Sequence, residues 1–270
     1  MELFFRKFGE AAPPLLIVHG LYGSSDNWVS IARDLSDRFE VFVVDQRNHG
    51  QSPHSPQHDY PSMREDLREL MDAQGIKKAV LIGHSMGGKT VMSFAEAWPE
   101  RVQALVSVDI APKSYRNLAL ASRTAANHTN MIDAMMKVDL SKISSREEAD
   151  LALAASIGSE RIRGFLLKNL RREKGGDFSW QINLEAISNN LDAIFEGMDR
   201  DSIAERGGIT GFPALFISGG DSEYIRAMDY QMIRDIFPTA EVVTVPGAGH
   251  WVHAEQPALL VKTIRYFLDI

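Results

Sequence analysis

Short runs of consecutive apolar and β-branched residues recur along the chain, separated by stretches with a helical repeat. Such runs indicate strands that are buried on both faces, because a half-exposed strand would alternate apolar and polar residues. Strands that alternate with helices are typical of a parallel sheet covered by helices. The pattern predicts six strands, at Leu15–Val18, Val41–Val44, Ala79–Ile82, Leu105–Val108, Ala214–Ile217 and Val242–Val245.

Two stretches outside these strands carry signals for the start or end of a helix. Ser62 and Glu65 have the spacing of a capping box, and Gly75 follows at a position that ends a helix. Another helix is expected after Pro257, with Leu260 and Ile264 facing inward. Both helices would cover a face of the sheet.

Between Pro112 and Gly211 the strand pattern disappears. A stretch of roughly a hundred residues is too long for a bare loop in a compact domain. We therefore expect a core formed by residues 1–111 and 212–270, with a helical cap, residues 112–211, inserted between two of its strands. Three sets of apolar residues at helical spacing predict the cap helices: Met131, Met135 and Met136; Ile162, Phe165, Leu166 and Leu170; and Leu184, Ile187, Leu191 and Ile194.

Composition narrows the class of protein. The 270 residues are 44% hydrophobic and 24% charged, as expected for one globular domain. Because 29 Lys and Arg face 36 Asp and Glu, the net charge is −7, and binding to nucleic acid or an anionic membrane is not expected. The sequence has no cysteine, which excludes disulfides, thiolate metal sites and a cysteine nucleophile. With neither a secretory signal nor an apolar span, the sequence predicts a soluble cytoplasmic protein.

The strongest chemical signal is the segment GHSMGG, which begins at Gly83 and follows a predicted strand directly. It fits the pattern G-x-S-x-G, in which a serine sits on a tight turn between a strand and a helix. Ser85 would be the nucleophile, with glycines two residues to either side where a larger side chain would collide. The alternative is a glycine-rich turn in which Ser85 only caps the following helix.

An acyl-transfer site also needs two donors for the developing oxyanion. The tight turn at Ser85 supplies one of them, the backbone N–H of Met86. The second is assigned to the N–H of Leu21, in the glycine-containing loop HGLYG after the first predicted strand. The alternative is that this loop is only a turn.

A histidine must take the serine proton, and a carboxylate must orient that histidine. His250, in a loop of small residues after the last predicted strand, is the better candidate for the base, and His253 is its rival. Asp109 and Asp221 both follow predicted strands and both lie between Ser85 and His250 in the sequence, so the residues alone leave the acid open.

The sequence resembles the α/β-hydrolase superfamily, and in particular its YbfF-type esterases. The motifs HGLYGS, DQRNHGQS, GHSMGGK, VDIAP and GAGHWVHAE carry the resemblance and begin at His19, Asp45, Gly83, Val108 and Gly247. It implies the α/β-hydrolase fold, a mostly parallel central sheet flanked by helices with an inserted helical cap.

The resemblance also bears on the acid. Most of the superfamily carries it in a G-x-x-D pattern after the penultimate strand. Counted from Gly219, that position holds Ser222, and Asp221 comes one residue early. Members similar to this chain carry the acid in a D-I-A-P sequence, which is Asp109 here. The resemblance therefore favours Asp109 and keeps Asp221 as the alternative.

The resulting hypothesis is a serine hydrolase that cleaves carboxylic esters or acyl thioesters through an acyl-enzyme on Ser85. The resemblance allows an acyl-CoA substrate, whose phosphates could bind a basic stretch on a cap helix between Arg161 and Lys174. Surface charge runs usually have no partner, so a solvated helix face is the favoured explanation of that stretch. The alternatives are a carbon–carbon bond hydrolase or acyltransferase with the same triad, or a receptor that binds a small ligand without catalysis. No metal and no cofactor is expected, because the sequence lacks metal-ligand spacing and a dinucleotide or phosphate-loop motif.

Overall fold

The computed structural model describes residues 1–10, 12–116 and 123–269, with the side chains of residues 123–127 left undescribed. Its strands are, in chain order, β1 (Phe5–Phe8), β2 (Pro14–Val18), β3 (Glu40–Val44), β4 (Ala79–His84), β5 (Val102–Val108), β6 (Leu170–Arg172), β7 (Phe178–Trp180), β8 (Ala214–Gly219) and β9 (Ala240–Val245). Seven of them form one sheet in the order β1-β3-β2-β4-β5-β8-β9. All neighbours in this sheet are parallel except β1, which runs antiparallel to β3. The mostly parallel sheet predicted from the sequence is therefore confirmed.

Helices cover both faces of the sheet. Along β2, Leu16 and Val18 enter one buried cluster while Leu15 and Ile17 enter the other, which explains an apolar run without alternation. The helices are α1 (Val29–Leu35), α2 (Tyr60–Ala73), α3 (Met86–Ala97), α4 (Arg123–Lys137), α5 (Arg146–Ala154), α6 (Glu160–Leu166), α7 (Leu184–Asn189), α8 (Leu191–Phe195), α9 (Arg200–Glu205), α10 (Tyr230–Ile236), α11 (Val252–Glu255) and α12 (Pro257–Phe267). Within the described ranges, no helix has both the length and the apolar character that crossing a membrane requires.

The two edges of the sheet differ from the prediction. The sequence pattern missed β1, a four-residue edge strand that carries Arg6 and Lys7. The prediction that Val242–Val245 is buried on both faces is wrong, because β9 is the other edge and Val243 is 37% exposed. Edge strands carry polar or exposed residues because only one of their sides is paired.

Helix α2 begins earlier than the capping-box pattern indicated. Asp59 is its N-cap, and the Asp59 carboxylate accepts a hydrogen bond from the backbone N–H of Ser62 at 2.7 Å. The interpretation of Ser62 as the cap is therefore wrong, because Ser62 lies inside the helix. Gly75 does follow the end of α2, with a φ of +68° that favours glycine.

The segment between β5 and β8 contains helices α4 to α9 and a two-stranded antiparallel sheet, β6 with β7. The pattern of apolar residues predicted the helical character but missed the two short strands. Apolar side chains of this segment form a third buried cluster together with Leu21, Tyr22 and Met86 of the core. Ile203 and Ile209 pack instead with the cluster under the main sheet. The inserted segment therefore covers the turn that follows β4.

Candidate active site

Ser85 sits at the turn between β4 and α3, where its backbone has φ +52° and ψ −120°. A non-glycine residue in this region is strained and needs support from its surroundings. The backbone N–H of Ser85 donates to the carbonyl of Val108 at 3.0 Å, and its carbonyl accepts from the N–H of Lys89 at 3.2 Å. Both ends of the turn are thereby fixed by backbone hydrogen bonds.

Glycines allow neighbouring backbone segments to approach one another very closely at this turn. A Cβ atom on Gly83 would lie 2.2 Å from the carbonyl oxygen of Gly87, and one on Gly87 would lie 2.2 Å from that of Val18. A Cβ atom on Gly20 would lie 3.0 Å from the Cβ of Ser85. The loop after β2 is therefore packed directly against the turn that carries Ser85.

We expect Gly87→Ala to destabilise the fold by about 3 kcal/mol, at the upper end of ordinary overpacking costs, because its Cβ would meet backbone rather than a movable side chain. The melting temperature should fall by roughly 6–12 °C. The matched control is Gly164→Ala on α6, where nothing lies within 4 Å of the added Cβ. That variant should be as stable as the parent or more stable by up to about 1 kcal/mol. Equal melting temperatures for the two variants would contradict the crowding at the turn.

Three side chains from different strand ends form a continuous hydrogen-bonded line. The Nε2 atom of His250 lies 3.0 Å from the Oγ of Ser85, and its Nδ1 atom lies 2.8 Å from Oδ2 of Asp109. Asp109 is fully buried directly after β5, whereas His250 follows β9. In the neutral tautomer that fits these distances, Nδ1–H of His250 donates to Asp109 and Nε2 accepts from the Ser85 hydroxyl.

The loop after β8 holds the Asp109 carboxylate. The backbone N–H of Gly219 donates to Oδ1 at 3.0 Å, and the hydroxyl of Ser222 donates to Oδ2. Ser222 occupies the position at which most of the superfamily carries the acid, and no sequence signal assigned it a role. Its hydroxyl now supports a carboxylate that comes from the preceding strand.

The two alternative residues lie elsewhere. Asp221 is exposed, and among the described residues its carboxylate makes no hydrogen bond, while its backbone N–H donates to Ala248. The ring of His253 stacks on buried Trp28, with centroids 4.5 Å apart, and does not bond Ser85. Burial lowers the pKa of His253 to about 3, so this ring is uncharged at pH 7 and packs as part of the protein interior.

The two N–H groups predicted to face an oxyanion lie beside Ser85. Met86 begins α3, and Leu21 lines the same cavity as Ser85. The loop that carries Leu21 is fixed, because the N–H of Tyr22 donates to Nε2 of His49 at 3.3 Å and that of Gly23 donates to the Gly20 carbonyl. Within the described ranges, the N–H groups of Leu21 and Met86 donate to no other group. Both can therefore serve a bound oxygen.

A cavity of about 150 Å³ opens over Ser85 and His250. Residues at or after the ends of β2, β4, β8 and β9 contribute one wall and the segment between β5 and β8 contributes the other, and most of the lining is apolar or aromatic. Neither His128 nor Tyr224 was predicted to lie here, since each lies in a stretch without a recognisable motif. The lining residues are Leu21, Tyr22, His84, Ser85, His128, Met131, Ile162, Phe165, Tyr224, His250 and Trp251.

His84, next to Ser85 in sequence, makes no hydrogen bond with the Ser85 hydroxyl among the described residues. Its Nε2–H donates to the backbone carbonyl of His250 at 2.8 Å, which fixes the loop that carries His250. Burial lowers the pKa of His84 well below its usual value and that of His128 to about 4. These neighbouring rings are neutral at pH 7 and do not oppose a positive charge on His250.

Comparison with known proteins identifies the family. A family model described as "alpha/beta hydrolase fold" matches residues 13–257 of this chain. The chain belongs to the α/β-hydrolase family. This hydrolase is 41% identical to the sn-1-specific diacylglycerol lipase ABHD11 of Danio rerio over 95% of its own length and 78% of the relative's. It is 36% identical to the esterase YbfF of Escherichia coli strain K12, over 95% and 93% of the two chains.

A solved structure gives the same result in three dimensions. The structure of a marine microorganism esterase matches this hydrolase with a TM-score of 0.92 and 44% identity, covering 98% of this chain and 99% of the other. The α/β-hydrolase fold implied by the sequence motifs, and the similarity to YbfF-type esterases, are therefore confirmed.

The basic stretch of this α/β hydrolase does not lie on one helix, contrary to the prediction. It runs through α6, a 3₁₀ turn and β6. Arg161 pairs with Glu255, and Arg163 pairs with Asp150 at 2.8 Å, so two of its charges are engaged within the protein. In the part of the chain described, no group of three or more His, Asp or Glu side chains could hold a metal ion.

Proposed function

We propose that this protein is a serine hydrolase that cleaves carboxylic esters through an acyl-enzyme on Ser85. His250 is the general base, Asp109 orients it, and the N–H groups of Leu21 and Met86 bind the oxyanion. The observation that carries the proposal is the unbroken line from Ser85 through His250 to buried Asp109 at the floor of an apolar cavity. The esterase and lipase names of its relatives support the same reaction class.

Acylation begins when Nε2 of His250 takes the Ser85 proton while Oγ attacks the ester carbonyl carbon. The carbonyl oxygen becomes an oxyanion, which the two backbone N–H groups stabilise. Collapse of this intermediate breaks the bond to the alcohol oxygen, which takes the proton from His250 and leaves. The acyl group then remains on Ser85 as an ester.

Deacylation repeats these steps with water as the nucleophile. His250 removes a proton from the water, the hydroxide adds to the acyl carbon, and the second oxyanion occupies the same site. Collapse releases the carboxylic acid and returns the proton to Ser85. Asp109 keeps its negative charge throughout and stabilises the imidazolium form of His250.

We propose that residues 112–211 form a cap on a core of residues 1–111 and 212–270, and that the cap selects the acyl group. Met131, Ile162 and Phe165 from this segment line the cavity, so an apolar acyl chain fits better than a charged one. A volume of about 150 Å³ is small for a ligand pocket and favours short chains. An acyl thioester fits the same mechanism, and the cysteine-free chain suits a cytoplasmic enzyme.

Labelling and a substrate series test the proposal together. A fluorophosphonate probe should modify Ser85, as located by mass spectrometry of the digested protein. p-Nitrophenyl esters of increasing length should show the highest kcat/KM for short acyl chains, with acyl-CoA measured beside them and an alcohol acceptor added to detect acyl transfer. Labelling at another serine, or no turnover of any ester or thioester, would overturn the assignment.

A further inference from the structure

The ring of Tyr224 lies flat against the imidazole of His250. Their centroids are 3.8 Å apart and their planes are inclined by only 14°. Neutral aromatic rings prefer offset or edge contacts, with centroids roughly 4.5–7 Å apart, to such a face-to-face arrangement. A cation over the face of a tyrosine ring, in contrast, is attracted by it. The contact therefore suits a charged imidazole better than a neutral one.

Tyr224 meets His250 with its face and not with its hydroxyl. Both imidazole nitrogens are already engaged, Nδ1 with Asp109 and Nε2 with Ser85. The Tyr224 hydroxyl lies 3.2 Å from Nε2 of His128, on the inserted segment. Tyr224 therefore exchanges no proton with His250 and competes for neither nitrogen.

The backbone on both sides of the ring is fixed. The N–H of Tyr224 donates to the Oγ of Ser222 at 3.2 Å, and its carbonyl accepts from the Tyr115 hydroxyl at 2.7 Å. Because Ser222 also donates to Asp109, the loop that positions the acid positions the ring as well. The ring thus occupies its place before any charge develops on His250.

The other titratable side chains near His250 either act at the edge of its ring, as Asp109 does, or are neutral. Asp109 carries the negative charge at Nδ1. Three histidines lie nearby, and because burial lowers the pKa of each, they are neutral at pH 7. Burial also raises the pKa of the Tyr224 phenol, which stays protonated. The histidines are His84 at the end of β4, His128 on α4 and His253 on α11.

We propose that Tyr224 is a positioning residue that stabilises the imidazolium of His250 through its ring face and keeps the imidazole aligned with Ser85. The inference rests on the proposed function, because His250 becomes an imidazolium when it takes the Ser85 proton. It goes further by assigning a role to a residue outside the triad and the oxyanion hole.

The pH dependence of kcat/KM tests the role of the ring. In Tyr224→Leu, which replaces the ring by an apolar side chain, the pKa of the acid limb should fall by roughly 0.5 to 1 unit. The plateau of kcat/KM should fall by about 3- to 30-fold. Tyr224→Phe keeps the face and loses only the hydroxyl, so both values should stay close to those of the parent. Tyr224→Met replaces the leucine variant if that variant does not fold.

A second measurement does not depend on turnover. In Ser85→Ala protein, the imidazole of His250 can be titrated by NMR with and without Tyr224→Leu, and its pKa should be lower in the double variant. An unchanged pKa would overturn the role of Tyr224 even if the protein hydrolyses esters. Equal losses of rate in Tyr224→Leu and Tyr224→Phe, without a pKa shift, would also overturn it and assign the effect to the His128 bond. A shifted pKa in a protein without turnover would leave the contact established and refute only the proposed function.

Discussion

Replacing Ser85 by alanine is expected to lower kcat for ester hydrolysis by about 10⁴- to 10⁶-fold. In the proposed mechanism, the change removes the atom that forms the acyl-enzyme, and neither His250 nor the oxyanion donors can replace it. The fold should persist, because backbone N–H and C=O groups hold the turn. Steady-state turnover measures the loss of kcat. Fluorophosphonate labelling should be lost, and thermal unfolding should give a melting temperature close to that of the parent.

The matched control for this change is Ser93→Ala, on the helix that follows Ser85. Ser93 is buried on α3, and its Oγ contacts Arg64 at 3.4 Å, away from the cavity lining. This variant should retain labelling and a kcat within about twofold, in keeping with a small structural change outside the site. If Ser85→Ala kept substantial turnover, or if Ser93→Ala lost it, the acyl-enzyme on Ser85 would be the wrong mechanism.

The centre of the sheet could be predicted because its strands are buried on both sides. β2, β4 and β8 are runs of apolar residues that have no other place in a folded chain. The edges could not be predicted so well. β1 contains two cations, and the pairing of β6 with β7 covers only three residues in each strand. The existence of these short strands depends on tertiary contacts more than on local preference.

The residues of the candidate site also differ in how far the sequence could predict them. Ser85 and His250 could be found because each has a distinctive local sequence at a strand end, and the structure brings them together. The acid remained ambiguous from the residues, since Asp109 and Asp221 both follow strands. Their surroundings in the structure distinguish them, because Asp109 is fully buried beside Nδ1 of His250 and Asp221 is exposed. The stacking of Tyr224 had no sequence signal, because it depends on how two distant loops meet.

Replacing Asp109 by asparagine is expected to lower kcat by about 10⁴-fold, whereas Asp221→Asn should leave it within about twofold. The asparagine keeps the shape of the side chain but removes the charge that stabilises the imidazolium. Its amide can also present an N–H to Nδ1 of His250 and favour the wrong tautomer. Asp221 is the matched control, because the same substitution is made at an exposed carboxylate without a bond to His250.

The two variants should be compared by kcat, fluorophosphonate labelling rate and melting temperature on the same substrate. A slow Asp109→Asn enzyme that still folds would assign the loss to the chemistry of His250 and not to the fold. The opposite ranking, with Asp109→Asn near normal and Asp221→Asn inactive, would contradict the assignment of the acid. It would mean that the loop after β8 rearranges on binding substrate, since Ser222 and not Asp221 now faces the buried carboxylate.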